Sequence, residues 1–254
     1  MQKQYFKERS WCLDREMEFN VYGSAGKPVL YIPCQNGRFS DFEDFGMADA
    51  LSPRIEDGQI QVFSCDTIDA ETISNELGDP RWRIEKHEDW FHYIVDELVP
   101  RIHQINNRNG FLNAGPGIFS FGCSMGGYHA ANFYFRRPDL FDRNLSLSAI
   151  YDLDHSFDGY HDDLTYDNSP DVFLRNMTDD HPWMERYRHG KCALCVGQGD
   201  WENETLESTR RMAEVVALRD LPVWVDFWGY DVYHDWPWWF KQVDYFMPWL
   251  LDEK

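Results

Sequence analysis

No stretch of this chain is long and apolar. Nowhere in its 254 residues does it approach the roughly 20 consecutive apolar positions that a helix needs to cross a bilayer. The opening stretch, Met1 to Trp11, is polar and charged and lacks the apolar core of a secretion signal. Basic residues are scarce: 24 Lys and Arg stand against 44 Asp and Glu, a formal net charge of −20. Nucleic acids and anionic membranes are bound by basic patches that displace counterions, so neither is expected as a partner. Cysteine is sparse too. Cys12, Cys34, Cys65, Cys123, Cys192 and Cys195 are scattered through apolar, strand-like segments, which reads as reduced, buried thiols of a cytoplasmic protein rather than a disulfide frame. Cys192 and Cys195 form a C-x-x-C, but it lies inside the run Cys-Ala-Leu-Cys-Val with no second pair. Strand packing is the expectation there, not a zinc or redox site.

What is present is enough for one packed domain. The hydrophobic share is 43% and the aromatic share 17%, with 11 Trp, values that argue against disorder. No internal repeat, low-complexity tract or linker-like shift in composition interrupts residues 1–254, and a single domain is expected. Short apolar runs bounded by Gly, Pro, Asn or Asp mark strands at 16–22, 29–33, 59–65, 117–121, 145–150, 192–196 and 223–228. Helices are expected between them at 86–107, 125–135, 206–218 and 237–250. Buried strands alternating with helices define an α/β class, with a mostly parallel sheet covered on both faces. Residues 152–190 fit no strand and are expected to be an inserted loop or small helical cap near the carboxyl ends of the strands, where open α/β sheets bind ligands.

The segment with the most chemical content is Gly117-Ile-Phe-Ser-Phe-Gly-Cys-Ser124-Met-Gly-Gly-Tyr-His-Ala-Ala131. It holds G-x-S-x-G between an apolar strand and a run of helix formers. In that context the sharp turn lifts the Ser124 hydroxyl clear of the sheet, and small neighbours let the helix pass close to the strand. The amide of Met125, at the helix start, is then aimed where an oxyanion develops. A serine of this kind takes its partners in the order acid, then His. Asp200 follows the strand Cys-Ala-Leu-Cys-Val in Gly197-Gln-Gly-Asp-Trp-Glu202, with Glu202 as its rival. His234 follows the last strand, with Asp235 as a natural N-cap and Pro237 in the first turn of the final helix. His129, five residues into the elbow helix, reads as packing.

With Tyr31-Ile-Pro-Cys-Gln-Asn-Gly-Arg-Phe39, Phe45-Gly-Met47, Gly122-Cys-Ser-Met-Gly-Gly127, Gly199-Asp-Trp-Glu202 and His234-Asp-Trp-Pro-Trp-Trp239, the chain resembles an esterase family of α/β-hydrolases related to esterase D, the feruloyl esterases and the mycolyltransferases. The resemblance implies the α/β-hydrolase fold, a Ser–Asp–His triad, an acyl-enzyme intermediate and no cofactor. One departure matters: the loop after the second of the expected strands reads Pro33-Cys-Gln-Asn-Gly37 where many lipases carry a His-Gly-Gly type. Gln35 and Asn36 are the two candidates for the second oxyanion donor.

The remaining features have plainer readings. Counted from Asp152, the acidic run 152–163 lacks the position-6 Gly and position-12 Glu of an EF-hand, so it is read as a solvated loop and no metal is expected. Trp236, Trp238 and Trp239, at the start of an amphipathic helix, are expected in the core more than in a substrate pocket. The expectation is therefore hydrolysis of a small-molecule carboxylic ester through Ser124, Asp200 and His234. An acyltransferase built on the same residues and a non-catalytic binding module are the alternatives, and homo-oligomerisation is left open.

Overall fold

The structure, a computed structural model, describes residues 1–107 and 117–253. Eight strands form one sheet: β1 (Lys3–Ser10), β2 (Arg15–Tyr22), β3 (Lys27–Ile32), β4 (Ile60–Cys65), β5 (Ile118–Cys123), β6 (Phe141–Leu147), β7 (Lys191–Val196) and β8 (Val223–Phe227). Their order across the sheet is β1-β2-β4-β3-β5-β6-β7-β8. β1 and β2 run antiparallel to each other, and β2 runs antiparallel to β4; all other pairs are parallel. Of these, β3, β4, β5 and β7 are almost unbroken buried runs, as a sheet covered on both faces demands.

The helices are α1 (Asp41–Asp44), α2 (Met47–Glu56), α3 (Pro80–His92), α4 (Val99–Asn107), α5 (Met125–Arg136), α6 (Asp163–Asp167), α7 (Pro170–Asn176), α8 (Pro182–His189), α9 (Asn203–Leu218) and α10 (Trp236–Leu250), with a π-helical turn at Tyr93–Leu98 joining α3 to α4. Alternation along each strand sorts the core into two layers. Leu30, Ile32 and Leu194 face a cluster with Trp90 of α3, Phe133 of α5 and Met212 of α9. Their neighbours Val29, Tyr31 and Cys195 face the opposite cluster, with Leu51 of α2 and Phe246 of α10. Full burial of each such side chain contributes about 1.5–3 kcal/mol, so a one-residue slip of any central strand, which would exchange the layers, is strongly disfavoured.

Two segments differ from expectation. The polar N-terminus forms β1, whose side chains alternate between exposed and half-buried along a solvent-facing edge. The acidic run is not uniformly solvated: Asp152 is buried and paired at 2.5 Å with Arg211, and Asp162 caps α6 by accepting from the Thr165 amide. Within 152–190 the chain forms the three short helices α6, α7 and α8.

The register fixes where the loops meet. Ile32 lies opposite Gly122, Cys123 opposite Leu147, Leu147 opposite Cys195, and Val196 opposite Phe227. The carboxyl ends of β3, β5, β6, β7 and β8 are thus level, and the loops that leave them share one edge of the sheet.

Candidate active site

At that edge β5 turns into α5 through Ser124, whose backbone has φ 56° and ψ −127°. A side chain at such a φ carries strain of about 1–3 kcal/mol unless the surroundings hold it. They do. The Ser124 amide donates to the Leu147 carbonyl at 2.8 Å, and its carbonyl accepts from the Gly127 and Tyr128 amides at 2.9 and 3.1 Å. Both motif glycines are required by contact: a Cβ on Gly122 would lie 2.2 Å from the Gly126 backbone, and one on Gly126 would lie 2.2 Å from the Ile32 carbonyl.

The loop after β8 is laced to the loop after β7. Trp228 donates to the Val196 carbonyl at 2.9 Å, Gly199 to Val232 at 2.8 Å, and the His234 amide to the Asp200 carbonyl at 3.1 Å. This lacing brings His234 to Ser124: Nε2 is 2.9 Å from the Ser124 Oγ. On its other side Nδ1 is 3.1 Å from Glu202 Oε2. The ring lies edge-on to Trp239, 5.1 Å between centroids, and its side chain is 19% exposed. With Nδ1 donating to Glu202, Nε2 is left to accept from the serine hydroxyl.

The acid in contact with the imidazole is therefore Glu202 and not Asp200. Asp200 is exposed and meets His234 only through its backbone carbonyl. The reason is the intervening Trp201, whose φ of 67° sends the chain through a left-handed turn just before α9. That turn points the residue 202 side chain inward and leaves 200 outside. Glu202 is 1% exposed, and Ser148 donates to its Oε1 at 2.6 Å while Thr205 donates to its Oε2 at 2.5 Å. Burial alone pushes this carboxyl upward; hydrogen bonds from His234, Ser148 and Thr205 outweigh it and hold the group below the ordinary glutamate value. Ser148 in turn accepts from Trp239 Nε1 at 3.0 Å. Neither Ser148 nor Thr205 stands out in the sequence, but the end of β6 at Leu147, earlier than expected, follows from the left-handed turn at Ser148 (φ 52°).

Met125 is the first residue of α5, where an amide has no acceptor within its own helix. Of the two candidates for a second donor, Asn36 has its amide engaged by Asp69 Oδ2 at 3.3 Å. Gln35 lines the same cavity as Ser124, Met125 and His234, and its side chain is tethered to Ser74 Oγ at 2.8 Å. The cavity has a volume of about 310 Å³, and Trp201, 85% exposed, stands at its wall. A larger hollow of about 740 Å³, walled by Asp152, Asp154, Asp158, Glu207 and Arg211, shares Ile150, His155 and Glu204 with it. Of the three tryptophans, Trp239 is buried beside His234, Trp236 stacks on Phe45, and Trp238 carries the Lys241 ammonium over its ring. Among the described residues no group of three or more His, Cys, Asp or Glu is arranged to hold a metal, and no helix is long and apolar enough to cross a membrane.

The chain matches the model of the family described as "Putative esterase" over residues 10–250. Its fold is similar to that of a ferulic acid esterase, at 16% identity and a TM-score of 0.74, with 100% of this chain and 99% of that one covered. It is also similar to an S-formylglutathione hydrolase from Agrobacterium tumefaciens, at 15% identity and a TM-score of 0.72, covering 99% and 95%. A third likeness is MPT51 from Mycobacterium tuberculosis, at 13% identity and a TM-score of 0.73, covering 100% and 99%. A sequence comparison with curated proteins gave no match.

Proposed function

The chain belongs to the Esterase family and is a carboxylic ester hydrolase, and on that premise we propose that it works through an acyl-enzyme formed on Ser124. The observation that carries this reading is the continuous relay from Ser124 Oγ to His234 Nε2 at 2.9 Å and from His234 Nδ1 to Glu202 Oε2 at 3.1 Å.

Ser124 Oγ attacks the ester carbonyl carbon while its proton passes to His234 Nε2. The carbonyl oxygen becomes an oxyanion and accepts from the Met125 and Gln35 amides, each worth about 3 kcal/mol of barrier. Glu202, ionised and desolvated, stabilises the imidazolium and keeps Nδ1 protonated. The C–O bond then breaks, and the leaving alcohol takes the proton from Nε2. Water attacks the acyl carbon, His234 takes one of its protons, and that proton returns to Ser124 as the acid departs.

The test uses a fluorophosphonate probe and an aryl acetate. Wild type should be labelled and should release free acid. Ser124→Ala should keep its fold, lose all labelling and lose turnover by several orders of magnitude. Undiminished labelling of Ser124→Ala would place the nucleophile elsewhere.

A further inference from the structure

Beneath the elbow lies a second carboxylate–imidazole pair that the reaction above does not use. His129 of α5 is 0% exposed and Asp69, in the loop after β4, is 2% exposed; Nε2 of the first lies 2.9 Å from Oδ1 of the second. His129 is stacked against His87 at 5.4 Å and tilted against Trp90 at 4.7 Å. His87 is itself buried, neither ring nitrogen has a hydrogen-bond partner among the described residues, and burial, then the neighbouring His129, pushes it down to about 3. It is therefore neutral and does not compete as a cation for Asp69.

The other oxygen of Asp69 points to the opposite half of the site. Oδ2 accepts from the Asn36 amide at 3.3 Å, in a turn where Asn36 takes the left-handed φ of 59°. One carboxylate thus bonds both segments that carry oxyanion donors. Through His129 it holds α5, whose first amide is Met125, and through Asn36 it holds the loop bearing Gln35. The same short stretch grips Gln35 again: the Asp69 carbonyl accepts from the Ser74 amide at 2.9 Å, and Ser74 Oγ accepts from Gln35 Nε2 at 2.8 Å.

A buried, hydrogen-bonded polar pair is weak ground for stability, because desolvation offsets most of what the bond returns and an apolar pair of similar volume often serves as well. What this pair supplies, and an apolar one does not, is a fixed distance between two amides. Oxyanion stabilisation depends on that distance, since the donors act only when placed before the charge develops. Resting on the ester-hydrolase reading, we propose that Asp69 and His129 are positioning residues that set the spacing of the Met125 and Gln35 amides.

The experiment compares Asp69→Leu, Asp69→Asn and His129→Phe with wild type for kcat and KM on an aryl acetate, and for affinity toward a trifluoromethyl ketone that forms a tetrahedral adduct. Asp69→Leu should lose about 10²–10³ in kcat, the scale of one oxyanion donor, with KM changed by less than about threefold. Affinity for the ketone should fall in step with kcat/KM. Asp69→Asn keeps an acceptor for Asn36 and a group that can bond His129, and should recover to within about tenfold of wild type. His129→Phe should lose at least about tenfold in kcat, and this variant decides the matter if Asp69→Leu does not fold. A folded Asp69→Leu or His129→Phe with wild-type kcat overturns the inference. No turnover and no fluorophosphonate labelling in wild type would overturn the ester-hydrolase reading itself, and this inference with it.

Discussion

Two acidic side chains two residues apart meet His234 in different ways. Glu202 holds His234 from a buried position, whereas Asp200 offers only its carbonyl to the His234 amide. Glu202→Gln should therefore lower kcat by about 10⁴, because the neutral amide leaves the imidazole in the wrong tautomer. Asp200→Asn should stay within a few-fold of wild type. Steady-state kinetics of the two variants decide it, and a more damaging Asp200→Asn would return the role to that residue. That Ser124, an acid and His234 leave the loops after β5, β7 and β8 was legible, since the first two follow buried strands and the third follows the last strand-like run of the chain. The choice between 200 and 202 was not, because it turns on the left-handed φ at Trp201, a bulky residue with no intrinsic preference for that conformation. His129 is packed, as its helical position suggests, against His87 and Trp90. Its hydrogen-bond partner was not legible, and only the tertiary fold shows a carboxylate from a distant loop waiting for its ring.

Among the elements, the buried parallel strands were the most legible, since an apolar run between breakers has few alternatives in an α/β chain. β1 escaped notice because an edge strand can be polar on both faces; within 152–190 a small helical cap was one of the two readings, but the bounds of α6–α8 were not legible because short helices carry too few turns to show a period. The elbow was legible as a motif, and the structure adds why its glycines leave no room for a side chain. A Cβ at Gly126 would lie 2.2 Å from the Ile32 carbonyl and 2.5 Å from that of Pro33, which are backbone atoms of the central strand and the loop after it. Gly126→Ala must push α5 away from β3. It should lose about 1–3 kcal/mol of stability, as overpacked sites do, and also activity, because the Met125 amide moves with the helix. Denaturant melts and turnover measured together test this. Wild-type stability and rate in the Gly126→Ala variant would mean that the helix does not pass as closely as described.

For the molecule as a whole, two buried carboxyls place opposite pulls on stability, and their balance predicts an optimum below neutrality. Asp171, at the start of α7, is 6% exposed; its Oδ1 has no hydrogen-bond partner among the described residues and its Oδ2 is 3.5 Å from Arg211 Nε. Burial, then the neighbouring charge of Asp152, pushes it up to about 7, with Arg211 opposing. In the unfolded chain an aspartate titrates near 3.9. Between roughly pH 4 and 7 the folded state therefore binds more protons than the unfolded one, so stability falls as pH rises through that window. Glu202 acts in the other direction. Its lowered value means that its contribution is present above the unfolded glutamate range, near 4.3, and is lost as pH falls through its folded value. The net charge of −20 adds self-repulsion that grows as carboxyls ionise, and so favours the acid side as well. Thermal stability should accordingly peak between about pH 4 and 7 and decline toward pH 8. Asp171→Asn removes the raised carboxyl while keeping its volume. The substitution should raise stability at pH 8 by about 1–2 kcal/mol, a shift of one unit being worth 1.36 kcal/mol and part of the gain being lost with the Arg211 contact. At pH 5, where Asp171 is neutral in the fold but mostly ionised in the unfolded chain, the gain should shrink to a fraction of that at pH 8, and near pH 4 the variant and wild type should melt together. Melting curves of both proteins from pH 4 to 9 measure this. A gain at pH 5 equal to that at pH 8 would show that the carboxyl is ionised throughout, and that Arg211, not burial, governs it.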